Sequence, residues 1–258
     1  MTTHARPGAT GATPSPVATS AEHAAGPDAQ PDAIELLGLV AQLEDVAFAR
    51  LAADAAEAPS TEQRLELSRF AAAAVERRER VLARIAELGA DPVAALRQFD
   101  HVLDDFDART QPSTWWERLL KAYVGYGVAD DFCRLAAEGL DPESRRVVLE
   151  VLDDASHAEL AVAELDAAGA DDGVLSARLA LWGRRLVGEA LGVVQRLLVQ
   201  RPGLVRLVNE GAAAEPAAGP EQNAGTDVVA APANAPTKLF GELTAQHTRR
   251  MSRLGLTA

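Results

Sequence analysis

Helix-capping signals divide this chain, and strand signals are missing from it. Ser60 is followed by Gln63 and Thr114 by Glu117, the spacing of a capping box at a helix start. Asp91-Pro92 and Asp141-Pro142 each place proline just inside a helix behind a capping acid. Gly89, Gly139 and Gly169 close apolar-periodic stretches, while Pro59 and Pro202 stop two others. These marks predict helices over about 32–57, 60–89, 91–108, 114–139, 141–169 and 172–201, a short apolar piece at 204–208, and an amphipathic helix at about 238–254. There is no alternating β-branched run and no Asn-Gly hairpin. Aromatics make up 4% against 48% hydrophobic residues, so the core is mostly Ala, Leu and Val, a mixture that favours helices. The expected fold is all-α.

Residues 1–31 are rich in Ala, Pro, Gly, Thr and Ser and read as a disordered tail, because they lack the large apolar side chains that repay ordering. Residues 210–235 have the same character and read as a linker. A bundle over 32–209 and a C-terminal helix over 236–258 complete the expected organisation. The formal net charge of −13 repels phosphate backbones, so any nucleic-acid contact needs a local basic patch. The single cysteine, Cys133, forbids an internal disulfide and suits a reducing cytoplasm. No apolar run reaches the ~20 residues of a membrane span, and the N-terminus lacks the order of a signal peptide. A cytoplasmic protein without membrane contact is expected.

A few polar residues interrupt the apolar stripes. Glu44 lies on the face of Leu37, Val40, Phe48 and Leu51. Asp154 and His157 stand three apart, one helical step on a shared face. An inward Glu facing an inward Asp-x-x-His makes half of a dinuclear metal site in a four-helix bundle. Their alternative reading is a solvated or arginine-paired helix edge. The second helix carries Leu67, Phe70, Ala74, Arg77 or Arg78, Val81, Ile85 and Leu88 on its stripe, with Glu76 and Glu79 set off to the side. The helix from Trp115 aligns Leu119, Tyr123, Tyr126, Asp130 and Cys133, and Gly125 and Gly127 flank Tyr126. Two mid-helix glycines cost ~1 kcal/mol each against Ala, which points to a close approach there, as helix–helix packing or as a functional kink. Glu189 sits between Trp182, Leu186 and Val193, with Arg184, Arg185 and Arg196 as candidate partners or the bundle interior as its destination.

Several segments resemble the tRNA isopentenyladenosine hydroxylase-like (MiaE-like) family of ferritin-like proteins of actinobacteria. They are Leu39-Val-Ala-Gln-Leu-Glu-Asp-Val-Ala-Phe-Ala-Arg-Leu51, Leu120-Lys-Ala-Tyr-Val-Gly125, Leu149-Glu-Val-Leu-Asp-Asp-Ala-Ser-His-Ala-Glu159, Leu179-Ala-Leu-Trp-Gly-Arg-Arg-Leu-Val-Gly-Glu-Ala-Leu191 and Ala245-Gln-His-Thr-Arg-Arg-Met251. The resemblance implies a ferritin-like four-helix bundle with additional flanking helices and, in hydroxylase relatives, a non-haem di-iron centre. Carried over residue by residue, it places retained ligands at Glu44, Asp154 and His157. The remaining ligand positions fall on Ala74, Arg77 and Tyr126, which supply no carboxylate or imidazole.

A dinuclear centre needs both halves of its ligand set. The expected state is therefore a degenerate site with no cofactor, in which Arg77 stands in for the metal charge. Its guanidinium would meet Glu44 and Asp154, with the Tyr126 hydroxyl and His157 completing the network. Three functions follow as expectations: a non-catalytic scaffold for an unknown protein partner; an iron hydroxylase with an altered, di-iron or mononuclear site; and a tRNA-associated module using Arg184, Arg185, Arg196, Arg201, Arg206, Arg249, Arg250 and Arg253. A homodimer through exposed apolar faces stays open, as does docking of the last helix on its own bundle or on a partner.

Overall fold

A computed structural model describes residues 29–153, 156–170, 172–214 and 235–258. Those residues form helices and turns without strands. Helix α1 (Ala29–Glu57) and α2 (Thr61–Glu87) form a long antiparallel hairpin. The direction is fixed by its cross-links: Gln30 bonds to the Leu88 carbonyl at one end, and Arg78 meets Asp45 at 2.6 Å midway. Both halves of the Ser60–Gln63 capping box form. Gly89 ends α2 with φ at 79°, a left-handed conformation that favours glycine. Across from this pair lie α5 (Trp115–Leu120), which continues through a π-helical turn at Lys121–Gly125 into α6 (Tyr126–Ala137), and the segments α7 (Pro142–Leu152) and α8 (Ser156–Ala170). Helix α9 (Gly173–Gln200) packs on the π turn and α6.

Three expectations about element boundaries change. The helix expected over 91–108 is two short ones, α3 (Pro92–Arg97) and α4 (Asp104–Arg109), joined by a run of turns. The stretch expected over 141–169 is broken after Leu152. The apolar piece after Pro202 is a full helix, α10 (Pro202–Ala214), which reaches into the expected linker. Arg206 ties α10 to the start of α1 through two bonds to Asp32, at 2.5 and 2.7 Å. The expected tail lies outside the described residues up to position 28, and the rest of the expected linker lies outside them up to position 234.

The main core runs from Leu36, Leu37 and Val40 through Val81, Phe106, Leu120, Phe132 and Cys133 to Leu186 and Leu207. A satellite of Leu51, Ala55, Leu67 and Ala71 closes the hairpin's turn end. Phe48, expected on the inner stripe, is 40% exposed. Helix α11 (Ala235–Arg253) docks on its own bundle, with Leu239, Leu243 and Met251 buried. Its Arg250 guanidinium lies where a Cβ on Gly127 would stand 2.8 Å away, and Met251 packs as closely over Gly183. No helix among the described residues is long and apolar enough to cross a membrane.

Candidate functional site

The interior polar site sits between the middle of α1, the middle of α2 and the first turns of α6. Glu44 is 7% exposed and Arg77 is 5% exposed. The Arg77 guanidinium donates to Glu44 Oε2 from Nε at 3.0 Å, and its terminal nitrogen lies 2.9 Å from the same oxygen. Ala74, fully buried one turn earlier on the same face, leaves room for the arginine to turn inward. Glu76 and Glu79 face solvent, and Glu79 takes two bonds from Arg78.

These groups border a cavity of about 40 Å³ lined by Glu44, Arg50, Arg77, Tyr126 and Asp130, with Leu43 and Val151 among its apolar walls. Leu43 and Tyr126 also border a neighbouring apolar cavity of about 20 Å³ beside Phe106, Phe132 and Val194. The polar cavity has room for water, and its walls offer polar partners.

Tyr126 turns away from Glu44. Its hydroxyl donates to Asp107 Oδ1 at 2.6 Å, and Lys121 Nζ reaches the same oxygen at 2.7 Å. This corrects the expected Tyr126–Arg77 network. The cause is the π turn, whose extra residue per turn rotates everything after it, together with α4, which brings Asp107 within reach. Gly125 ends that turn against the Phe106 ring, which a Cβ would meet at 2.8 Å. The Phe106 and Tyr126 rings meet edge to face at 5.5 Å. Burial raises the Tyr126 hydroxyl above its ordinary pKa, and the Asp107 carboxylate adds to the shift. Burial also lowers the Lys121 ammonium, against the pull of Asp107.

Arg50 is the functional residue that sequence reading missed. Its guanidinium lies 4.6 Å from the centre of the Tyr126 ring, a cation–π contact. Its Nε and one terminal nitrogen are buried without a hydrogen-bond acceptor, and the nearest carboxylate is Asp54 at 3.8 Å. Asp54 is held in turn by Arg118 at 3.2 Å. Burial raises the Asp130 carboxyl, while Arg250 and other arginines oppose the shift. Burial raises the Cys133 thiol as well, which disfavours its thiolate. In sequence Arg50 sits beside Leu51 at the hairpin edge and reads as a surface arginine; only the length of its side chain carries it inward.

Of the other expected site residues, Asp154 lies outside the described residues. His157 lies in the first turn of α8, and its side chain is outside them too. Glu189 belongs to the surface, paired with Arg109 at 3.4 Å. The arginines expected to meet it are engaged elsewhere: Arg185 on the Arg109 carbonyl, Arg184 on the Thr257 carbonyl and Arg196 towards Asp105.

A bundle with a buried carboxylate at this place defines a class, the ferritin-like helical proteins. A family model for the ferritin-like domain of actinomycetes matches residues 29–211, and the chain belongs to that family. No curated protein is significantly similar to it. The metal pair found in ferritin-like hydroxylases does not fit the groups on the second helix and α6. A guanidinium fills the space beside Glu44, a second one borders the same cavity, and the Tyr126 hydroxyl is committed to Asp107. Fixed cations at this range oppose a divalent ion instead of ligating it. Among the described residues, no three His, Cys, Asp or Glu side chains gather into a metal-holding group.

Proposed function

We propose that this chain is a ferritin-like bundle whose interior charge balance is kept by arginine instead of metal, and that it acts as a scaffold or interaction module. The observation that carries this reading is the buried Glu44–Arg77 pair. A buried carboxylate must be ligated, protonated or paired, and here it is paired. The bonds stiffen α1 against α2 at their midpoint, and the Asp45–Arg78 pair beside them does the same on the outer face. The result is a closed, rigid helical body that presents its surface to a partner protein.

The resemblance to MiaE-like tRNA hydroxylases supports a second reading, an altered iron site using Glu44, Asp154 and His157. The polar cavity beside Glu44 favours it, because a substrate oxygen or water could enter there. Such a site would supply oxygen-activating chemistry through iron, and Glu44 would have to exchange Arg77 for the ion. Arginines speak against the third reading, tRNA binding. Of the arginines named for it, Arg196, Arg201, Arg206, Arg249 and Arg250 meet carboxylates at Asp105, Glu35, Asp32, Glu242 and Asp131, which offsets much of the basic bias, while Arg184 and Arg185 donate to backbone carbonyls.

Metal analysis separates the first two readings. Protein purified from iron-replete cells should carry well under about one transition-metal ion per chain, without oxo-bridge absorption, as expected when half the ligand set is absent. Two tightly held ions per chain, or hydroxylation of a modified tRNA, would overturn the scaffold reading.

A further inference from the structure

His247 is the most anomalous group outside the interior site. It is 3% exposed, on the inner face of α11 between Leu243 and Met251, and both ring nitrogens are buried without a hydrogen-bond partner. A neutral imidazole always carries one N–H, so at least one donor is left unsatisfied, at a cost that native proteins rarely leave unexplained.

Helix α11 packs on α6, α9, α10 and the π turn. Helix α11 is anchored to α6 by Arg250, whose two terminal nitrogens bond both Asp131 oxygens at 2.5 and 2.7 Å. Met251 over Gly183 anchors it to α9. The charged and titratable groups on the facing elements include Asp130, Asp131 and Arg134 of α6, Glu138 just beyond its end, Lys121 and Tyr123 of the π turn and Arg184 of α9; α10 offers Val208, Gly211 and Ala212 to the seam. On α11 itself they are Lys238, Glu242, Arg249, Arg250 and Arg253. Asp131 is already taken by Arg250, and Arg250 is the group whose charge bears on the imidazole, with the wrong sign to welcome a second cation.

We infer that His247 makes the docking of α11 depend on pH: its protonation weakens the helix's hold on the α6–α9 seam and raises the share of molecules that expose the surface around Gly127, Asp131 and Gly183. Burial lowers the imidazole below its ordinary pKa, and Arg250 adds to the shift. The sign follows directly. The undocked helix binds the proton more readily than the docked one, so docking is complete above the ordinary histidine pKa and weakens as pH falls below it. If the docked ring stays neutral down to about pH 5, the docking equilibrium drops about 30-fold against neutral pH. The device works with or without metal in the bundle, so its failure leaves the Glu44–Arg77 reading intact.

Hydrogen exchange on the full chain tests it, with protection factors for the 239–251 amides compared at about pH 7.5 and about pH 5 and the α1–α2 amides as internal reference. Wild type should lose α11 protection by about 30-fold at the lower pH while α1 and α2 keep theirs. His247→Leu and His247→Gln, which cannot titrate, should keep α11 protected at both. Unchanged protection in wild type would overturn the inference. So would an equal acid-induced loss in both variants, which would place the sensitivity in other groups.

Discussion

Glu44–Arg77 and Asp131–Arg250 are the same chemical device in two settings. Each is a buried carboxylate held by an arginine from another helix. The first joins two helices of a continuous hairpin, so its partners stay close through α1 and α2 even when the bond is broken. The second fastens a terminal helix that rests on few other polar contacts and carries the unpartnered His247 one turn from the arginine. The contrast teaches that a buried ion pair takes its role from its neighbours. Where both ends are tethered it fixes the interior; where one end can leave, it is a latch.

The largest effect should come from breaking the interior pair on one side only. Arg77→Ala removes the guanidinium that holds the buried Glu44 carboxylate and should cost ~3–5 kcal/mol, seen as a fall of roughly 10 °C in Tm. Asp131→Ala should cost less, ~2–3 kcal/mol, because the Arg250 side chain retains 19% exposure and can turn to water; its loss should appear in α11 exchange and leave α1 and α2 protected. Gly127→Val tests the same latch sterically. Its side chain would press on the Arg250 guanidinium, a flexible neighbour, for ~1–2 kcal/mol by thermal denaturation. Glu189→Ala, at the half-exposed Arg109 pair, should change Tm by under about 0.5 kcal/mol equivalent. A surface effect as large as the interior one would erase the distinction.

The two pairs were unequally readable from sequence. Glu44 and Arg77 stand out because each breaks an apolar stripe of a long, well-capped helix, and a charge in such a stripe demands a partner. Ala74 on the same stripe was read only as a lost ligand position, and the room it leaves for the arginine is visible only in the packed structure. Arg50 carried no such mark, since a long side chain at a stripe's edge looks the same whether it points out or folds over a tyrosine. The Tyr126–Asp107 bond was hidden twice. A π turn has no sequence signature, and the chain from 91 to 108 reads as one helix although it ends at Arg97 and restarts at Asp104. His247 was visible as a member of an amphipathic face. That both its nitrogens go unmatched is a property of the packed seam, which periodicity does not encode. The family match covers the bundle, and the arrangement of the interior had to be built from its side chains.

A double-mutant cycle across Glu44 and Arg77, followed by denaturant unfolding with chelator present, bears most directly on the claim that arginine does the work of a metal in this interior. The account predicts that Arg77→Met alone is strongly destabilising and that adding Glu44→Leu restores most of the loss, by ~2 kcal/mol or more. Additive losses, or an Arg77→Met protein as stable as wild type, would contradict it.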